Sequence, residues 1–159
     1  TDSTTRQLAE YFQRSMAELG LKIKINSSSW PEYLSRIRRK QAQLWYISWV
    51  YDYPDAENGW QLLYSKNESP GSNAANYKNA KMDALYEKIA TMRDGPERFE
   101  LFAKMRELFA EDMPWIITLN PMETRLAYDW TKNFKIHAFE HNVDKYLRVD
   151  VEARQKVLR

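Results

Sequence analysis

The residues best equipped for chemistry lie between Leu44 and Asn58, Leu-Trp-Tyr-Ile-Ser-Trp-Val-Tyr-Asp-Tyr-Pro-Asp-Ala-Glu-Asn. Asp52 stands there among Trp49, Tyr51 and Tyr53. A carboxylate beside aromatic rings offers an anchor for a cationic group and apolar surface for whatever carries it. Aspartate shortly before a proline is also ordinary turn chemistry, so turn formation or helix capping is the structural alternative.

Other constellations are weaker. His137-Ala138-Phe139-Glu140-His141 matches the inverzincin zinc-peptidase spacing, which requires a helix that brings both imidazoles and the glutamate to one face. The flanking residues alternate as in a strand, so packed or surface histidines are expected and no metal site is assigned. Arg36, Arg38, Arg39 and Lys40 lie near Trp30, Tyr33 and Trp45 in sequence, the composition of a small nucleic-acid-binding module. A solvated helix face with basic residues at its carboxyl end explains the same cluster, and no nucleic acid is assigned. The acidic pairs Asp52/Asp55 and Glu111/Asp112 have no nucleophile and base to serve, so no catalytic residue is assigned. Four glycines and no cysteines leave no phosphate-binding loop, disulfide or thiolate chemistry, and no cofactor is assigned.

The elements that must position Asp52 follow from periodicity. Leu8, Tyr11, Phe12, Met16 and Leu19 recur at helical spacing until Gly20, and Asp2-Ser3-Thr4 supply amino-terminal caps. Leu21 to Asn26 alternates as a strand near a sheet edge. Ser29-Trp30-Pro31-Glu32 reads as a capping box opening a helix to about Lys40. Leu44 to Tyr51, without a charge, reads as a strand buried on both faces, with Asp52 near its carboxyl end, where ligands of open α/β sheets bind. Ser65 to Asn76 is a loop. Asn79 caps a helix with Met82, Leu85, Tyr86 and Ile89 on one face. Asp94-Gly95-Pro96 restarts the chain into a second helix, striped by Phe99, Phe102, Met105, Leu108 and Phe109, and the two form a hairpin. Trp115 to Leu119 is a short strand, and beyond Met122 short extended pieces are expected at 134–139 and 146–149.

Ser48-Trp49-Val50-Tyr51-Asp52-Tyr53-Pro54-Asp55 resembles the Trp-x-x-Asp-Tyr-x-x-Pro signature of the family 5 extracellular solute-binding proteins, the peptide-binding subunits of bacterial ABC importers. Asn76-Tyr77-Lys78-Asn79 with Met82-Asp83-Ala84-Leu85 resembles a second family segment, with Ala80 where proline is usual. Glu97-Arg98, Ala110 to Ile116 and Lys145 to Asp150 continue the likeness in order. The resemblance implies an α/β fold, a mixed sheet flanked by helices, as the second lobe of a type II-like periplasmic binding protein. On that view residues 1–121 form the carboxyl-terminal lobe and 122–159 return towards an amino-terminal lobe that is absent here, so a fragment is expected.

The same resemblance implies a peptide or small solute held between two lobes outside the cytoplasm, in the periplasm or at the cell envelope, and handed to a membrane permease. Asp52 would take the peptide's ammonium, with Trp49, the Val50 backbone and Tyr53 lining the site. A lobe without its fellow is expected to self-associate through exposed apolar surface. Composition is compatible: 159 residues fit one domain, and 24 basic against 22 acidic residues give a net charge of +2, too balanced for a dedicated nucleic-acid binder.

Overall fold

The structure, a computed structural model, describes residues 3–122, 124–136 and 143–157. The His137-x-x-Glu140-His141 pattern, to which no metal site is assigned, lies outside them. Helix α1 spans Ser3–Glu18 and ends as its glycine demands: Gly20 takes a left-handed φ of 78°, and Leu21 N donates to Met16 O at 3.0 Å. Helix α2 (Trp30–Arg38) carries Pro31 in its first turn, but the Ser29 side chain makes no capping hydrogen bond, so the expected capping box does not close. The helix stops before Lys40, whose left-handed φ of 58° lets Gln41 N reach Arg36 O at 2.8 Å.

A short helix α3 (Glu57–Trp60) and two 3-10 turns (Gln61–Leu63 and Ser65–Asn67) lead into the loop, which is braced by amides. Buried Asn73 donates from Nδ2 to Tyr64 O (3.1 Å) and Tyr77 O (2.9 Å), while its Oδ1 accepts from Tyr77 N. Helix α4 (Ala80–Ile89) starts on Asn79, whose side chain accepts from Lys81 N and Met82 N, as expected. Helix α5 (Pro96–Asp112) follows and is ended by Met113 in a left-handed conformation, with Pro114 next.

The two helices pack as the expected hairpin. Leu63, Met82, Ile89 and Met105 are fully buried between them, and Trp60, Tyr77, Leu85, Tyr86, Phe102, Leu108, Phe109 and Trp115 pack around that centre. The α5 stripe differs from expectation in one place: Phe99 is 57% exposed, and Arg98 is buried instead.

The expected sheet is much reduced. Among the described residues the only strands are β1 (Thr131–Lys132) and β2 (Arg148–Val149), paired antiparallel with Thr131 opposite Val149. The segments read as strands at 21–26 and 115–119 pair with no neighbouring strand among the described residues. Leu44 to Tyr51, expected buried on both faces, is exposed apart from half-buried Trp45: Leu44 57%, Ile47 47%, Val50 70%. Strands are buried by neighbours, and no described residue supplies a ladder for this one. A further helix, α6 (Val151–Val157), closes the described chain, with the Asp150 carboxylate accepting from Ala153 N. The protein exposes 13027 Å², against about 8,400 Å² for a compact chain of 19.0 kDa.

Candidate functional site

The site is built where the extended segment meets α3. Asp55 comes first: its Oδ1 accepts from Glu57 N (2.8 Å) and its carbonyl accepts from Asn58 N, which starts the helical turn. Both carboxylate oxygens are also gripped by Arg98, Nη1 to Oδ2 at 2.8 Å and Nη2 to Oδ1 at 3.0 Å. Arg98 is 4% exposed and spends two further donors on Asp94 (2.6 Å) and Ile89 O (3.0 Å), with its guanidinium 5.1 Å from the Phe102 ring centroid. This paired fork is the strong form of carboxylate recognition. It holds the Asp55 carboxyl below its ordinary range, with the Glu57 N–H helping, and it ties the turn to α5.

Asp52 is placed differently. It is exposed, three residues earlier, and no lysine or arginine among the described residues pairs with it. Its partner is Asn58, 1% exposed on α3. The Asn58 Oδ1 accepts from Trp49 Nε1 (2.9 Å) and from Asp52 N (3.3 Å), and its Nδ2 stands 3.5 Å from Asp52 Oδ2. Tyr51 lies across Gly59, where a β-carbon would meet the phenol oxygen at 2.2 Å, so glycine permits this close approach.

Of the four expected site residues, the structure joins Trp49 and Asp52 through Asn58. Val50 projects into solvent, and its main chain makes no hydrogen bond among the described residues. Tyr53 is exposed, and its hydroxyl donates to Glu57, which also accepts from the Tyr86 hydroxyl. Those bonds raise the pKa of both phenols, with burial the larger cause for Tyr86. Both remain protonated donors at neutral pH. The second acidic pair is also absorbed: Asp112 accepts from Tyr77 and from Asn79 Nδ2, and Tyr77, pushed up to about 12 by burial and then by that contact, stays a donor.

In the basic cluster Arg36 and Arg38 lie in the last turn of α2 and Arg39 and Lys40 follow it; Lys40 reaches Glu68 at 3.1 Å, and Trp30 stacks on Tyr33 with 5.7 Å between ring centroids. No group of three or more metal-ligating side chains that could hold a metal occurs among the described residues. No helix is long and apolar enough to cross a membrane.

Sequence reasoning missed Asn58 and Arg98 as organising residues. The available signal for Arg98 was an arginine one turn before Phe102 on the core stripe and four residues after Asp94. For Asn58 there was only an amide at the start of an apolar turn.

Residues 1–71 match the family model described as bacterial extracellular solute-binding proteins, family 5 Middle. Di/tripeptide-binding protein 3 of Pseudomonas aeruginosa is 26% identical over 139 residues, 85% of this chain and 25% of that protein. The oligopeptide-binding protein OppA of Bacillus subtilis is 26% identical over 115 residues, 72% of this chain and 21% of its own. Heme-binding protein A of Haemophilus influenzae is 23% identical over 111 residues, 70% and 20%. No solved structure matches. The chain spans about a quarter of the length of the curated relatives it matches. Its first 71 residues, then, are similar to the family 5 extracellular solute-binding proteins, and most of its length is similar to relatives named for binding peptides.

Proposed function

We propose that the chain contributes one lobe of a solute-binding protein that captures short peptides outside the cytoplasm and delivers them to an ABC permease, without chemistry on the ligand. Residues 1–121 make that lobe, part of a larger sheet flanked by helices in a type II-like architecture. Residues 122–159 return towards the other lobe. The observation that carries the reading is Asp52: an exposed carboxylate with no cation beside it, joined through Asn58 to the Trp49 indole, within a segment that matches the family. A peptide ammonium completes the ion pair, Trp49 and Tyr53 supply apolar walls, and the free Val50 main chain is positioned to bond the peptide backbone.

One lobe of a two-lobed clamp makes only part of the contacts, so weak binding is expected of this chain alone. Nuclear magnetic resonance detects it. Trialanine added to the labelled protein should shift the resonances of Trp49, Val50, Asp52 and Tyr53, and N-acetyl-trialanine, which lacks the ammonium, should not. Equal shifts with both peptides, or none with either, refute the assignment.

A further inference from the structure

We infer that Asn58 is the positioning residue of the Asp52 site, a single buried amide that fixes the Trp49 indole and the Asp52 turn relative to each other. That this geometry serves a ligand rests on the proposed function; the geometry itself does not.

The orientation of the amide follows from its neighbours. Trp49 Nε1 and the Asp52 main-chain nitrogen can only donate, so the atom they both meet must be the Asn58 oxygen. The amide nitrogen is thereby aimed at Asp52 Oδ2, at 3.5 Å, a loose contact that places partial positive charge on one oxygen and leaves the other for a ligand. Asn58 is itself anchored on α3, where its N–H donates to Asp55 O (3.1 Å) and its carbonyl accepts from Gln61 Nε2 (3.2 Å). Asp55 is in turn held by buried Arg98. A chain of contacts therefore runs from α5 through Asp55 and Asn58 to the exposed site.

No other side chain of this size does the same work. Leucine offers neither acceptor nor donor, and would leave a half-buried indole N–H without its partner. Aspartate retains the acceptor for Trp49 but loses the donor, and sets a second carboxylate against Asp52.

The two substitutions separate these roles in the 159-residue protein. The Trp49 indole N–H resonance, assigned by its disappearance in Trp49→Phe, is followed by hydrogen exchange alongside that of exposed Trp30. Trp49 should exchange at least about tenfold more slowly than Trp30 in the unsubstituted protein. Asn58→Leu should abolish that difference while the α4 and α5 amides stay protected, and Asn58→Asp should preserve it. Equal exchange at Trp49 and Trp30 in the unsubstituted protein overturns the inference, whether or not the variants fold. So does protection that survives Asn58→Leu. Trialanine shifts lost in folded Asn58→Leu extend the role to ligand binding. A protein that shows the predicted exchange pattern but never binds trialanine would sink the proposed function and leave Asn58 in place.

Discussion

Two stretches of this chain are about equally apolar and end up in opposite conditions. Between Ala56 and Trp115 the helical hairpin and the turns before it enclose Leu63, Met82, Ile89 and Met105 at full burial, together with Asn58, Asn73 and Arg98. Between Leu19 and Tyr53, only Ile37 is buried, and Leu44, Tyr46, Ile47 and Val50 face solvent. Amphipathic helices joined by a short turn bury one another's stripes with contacts close in sequence. A strand has no such recourse, since its main chain and both faces need partners supplied from elsewhere. The main chain of residues 47–51 makes no hydrogen bond among the described residues.

That contrast is broken most forcefully in the hairpin. Leu63→Ala or Met105→Ala should cost about 2–5 kcal/mol, as large-to-small changes in closed cores do. Ile47→Ala in the exposed segment should stay within about 0.5 kcal/mol. Urea melts followed by circular dichroism test both, and a large loss at Ile47 would mean the segment is buried in solution.

Arg98→Met should rank next. It frees the Asp55 carboxylate, whose side chain is 32% exposed, so the cost sits near the lower end of the range for a broken buried pair, about 3 kcal/mol. A change below 1 kcal/mol would show that the fork carries no weight.

Much of this was legible beforehand. The hairpin, its Asn79 cap and the Gly20 stop are local: each depends on residues a turn apart, so periodicity and capping chemistry find them. Leu44 to Tyr51 has the composition of a central strand, yet composition cannot provide the neighbours that would bury it. The site shows the same division. Asp52 and Trp49 stood out by type, whereas the Arg98–Asp55 fork joins residues 43 apart in sequence, and Asn58 acts through an amide whose partners only the folded turn reveals.

Acid should sharpen the comparison on a smaller scale. The Asp55 carboxyl is depressed in the folded protein by Arg98, against an ordinary value of 3.8. Its contribution is therefore fully present above about pH 4 and is lost as pH falls through the lower folded value. Arg98→Met should flatten that part of the stability profile below pH 4 and leave the profile above it parallel to the unsubstituted one. An unchanged acid slope would deny the coupling.

The exposed stretch should also seek partners. An unpaired apolar segment and the large accessible surface predict concentration-dependent self-association in light scattering, reduced by Val50→Lys. A strictly monomeric protein at millimolar concentration would contradict this.

The account rests on an exposed carboxylate carried by a turn bonded to Asn58, and Asp52→Asn tests it most directly. Its side chain supports little of the fold, so the melting temperature should remain within about 2 °C, as for surface substitutions. The trialanine-induced shifts at Trp49 and Tyr53 should disappear. Shifts that persist with unchanged affinity would remove Asp52 from the site, and a collapse in melting temperature would make it a residue of the fold instead.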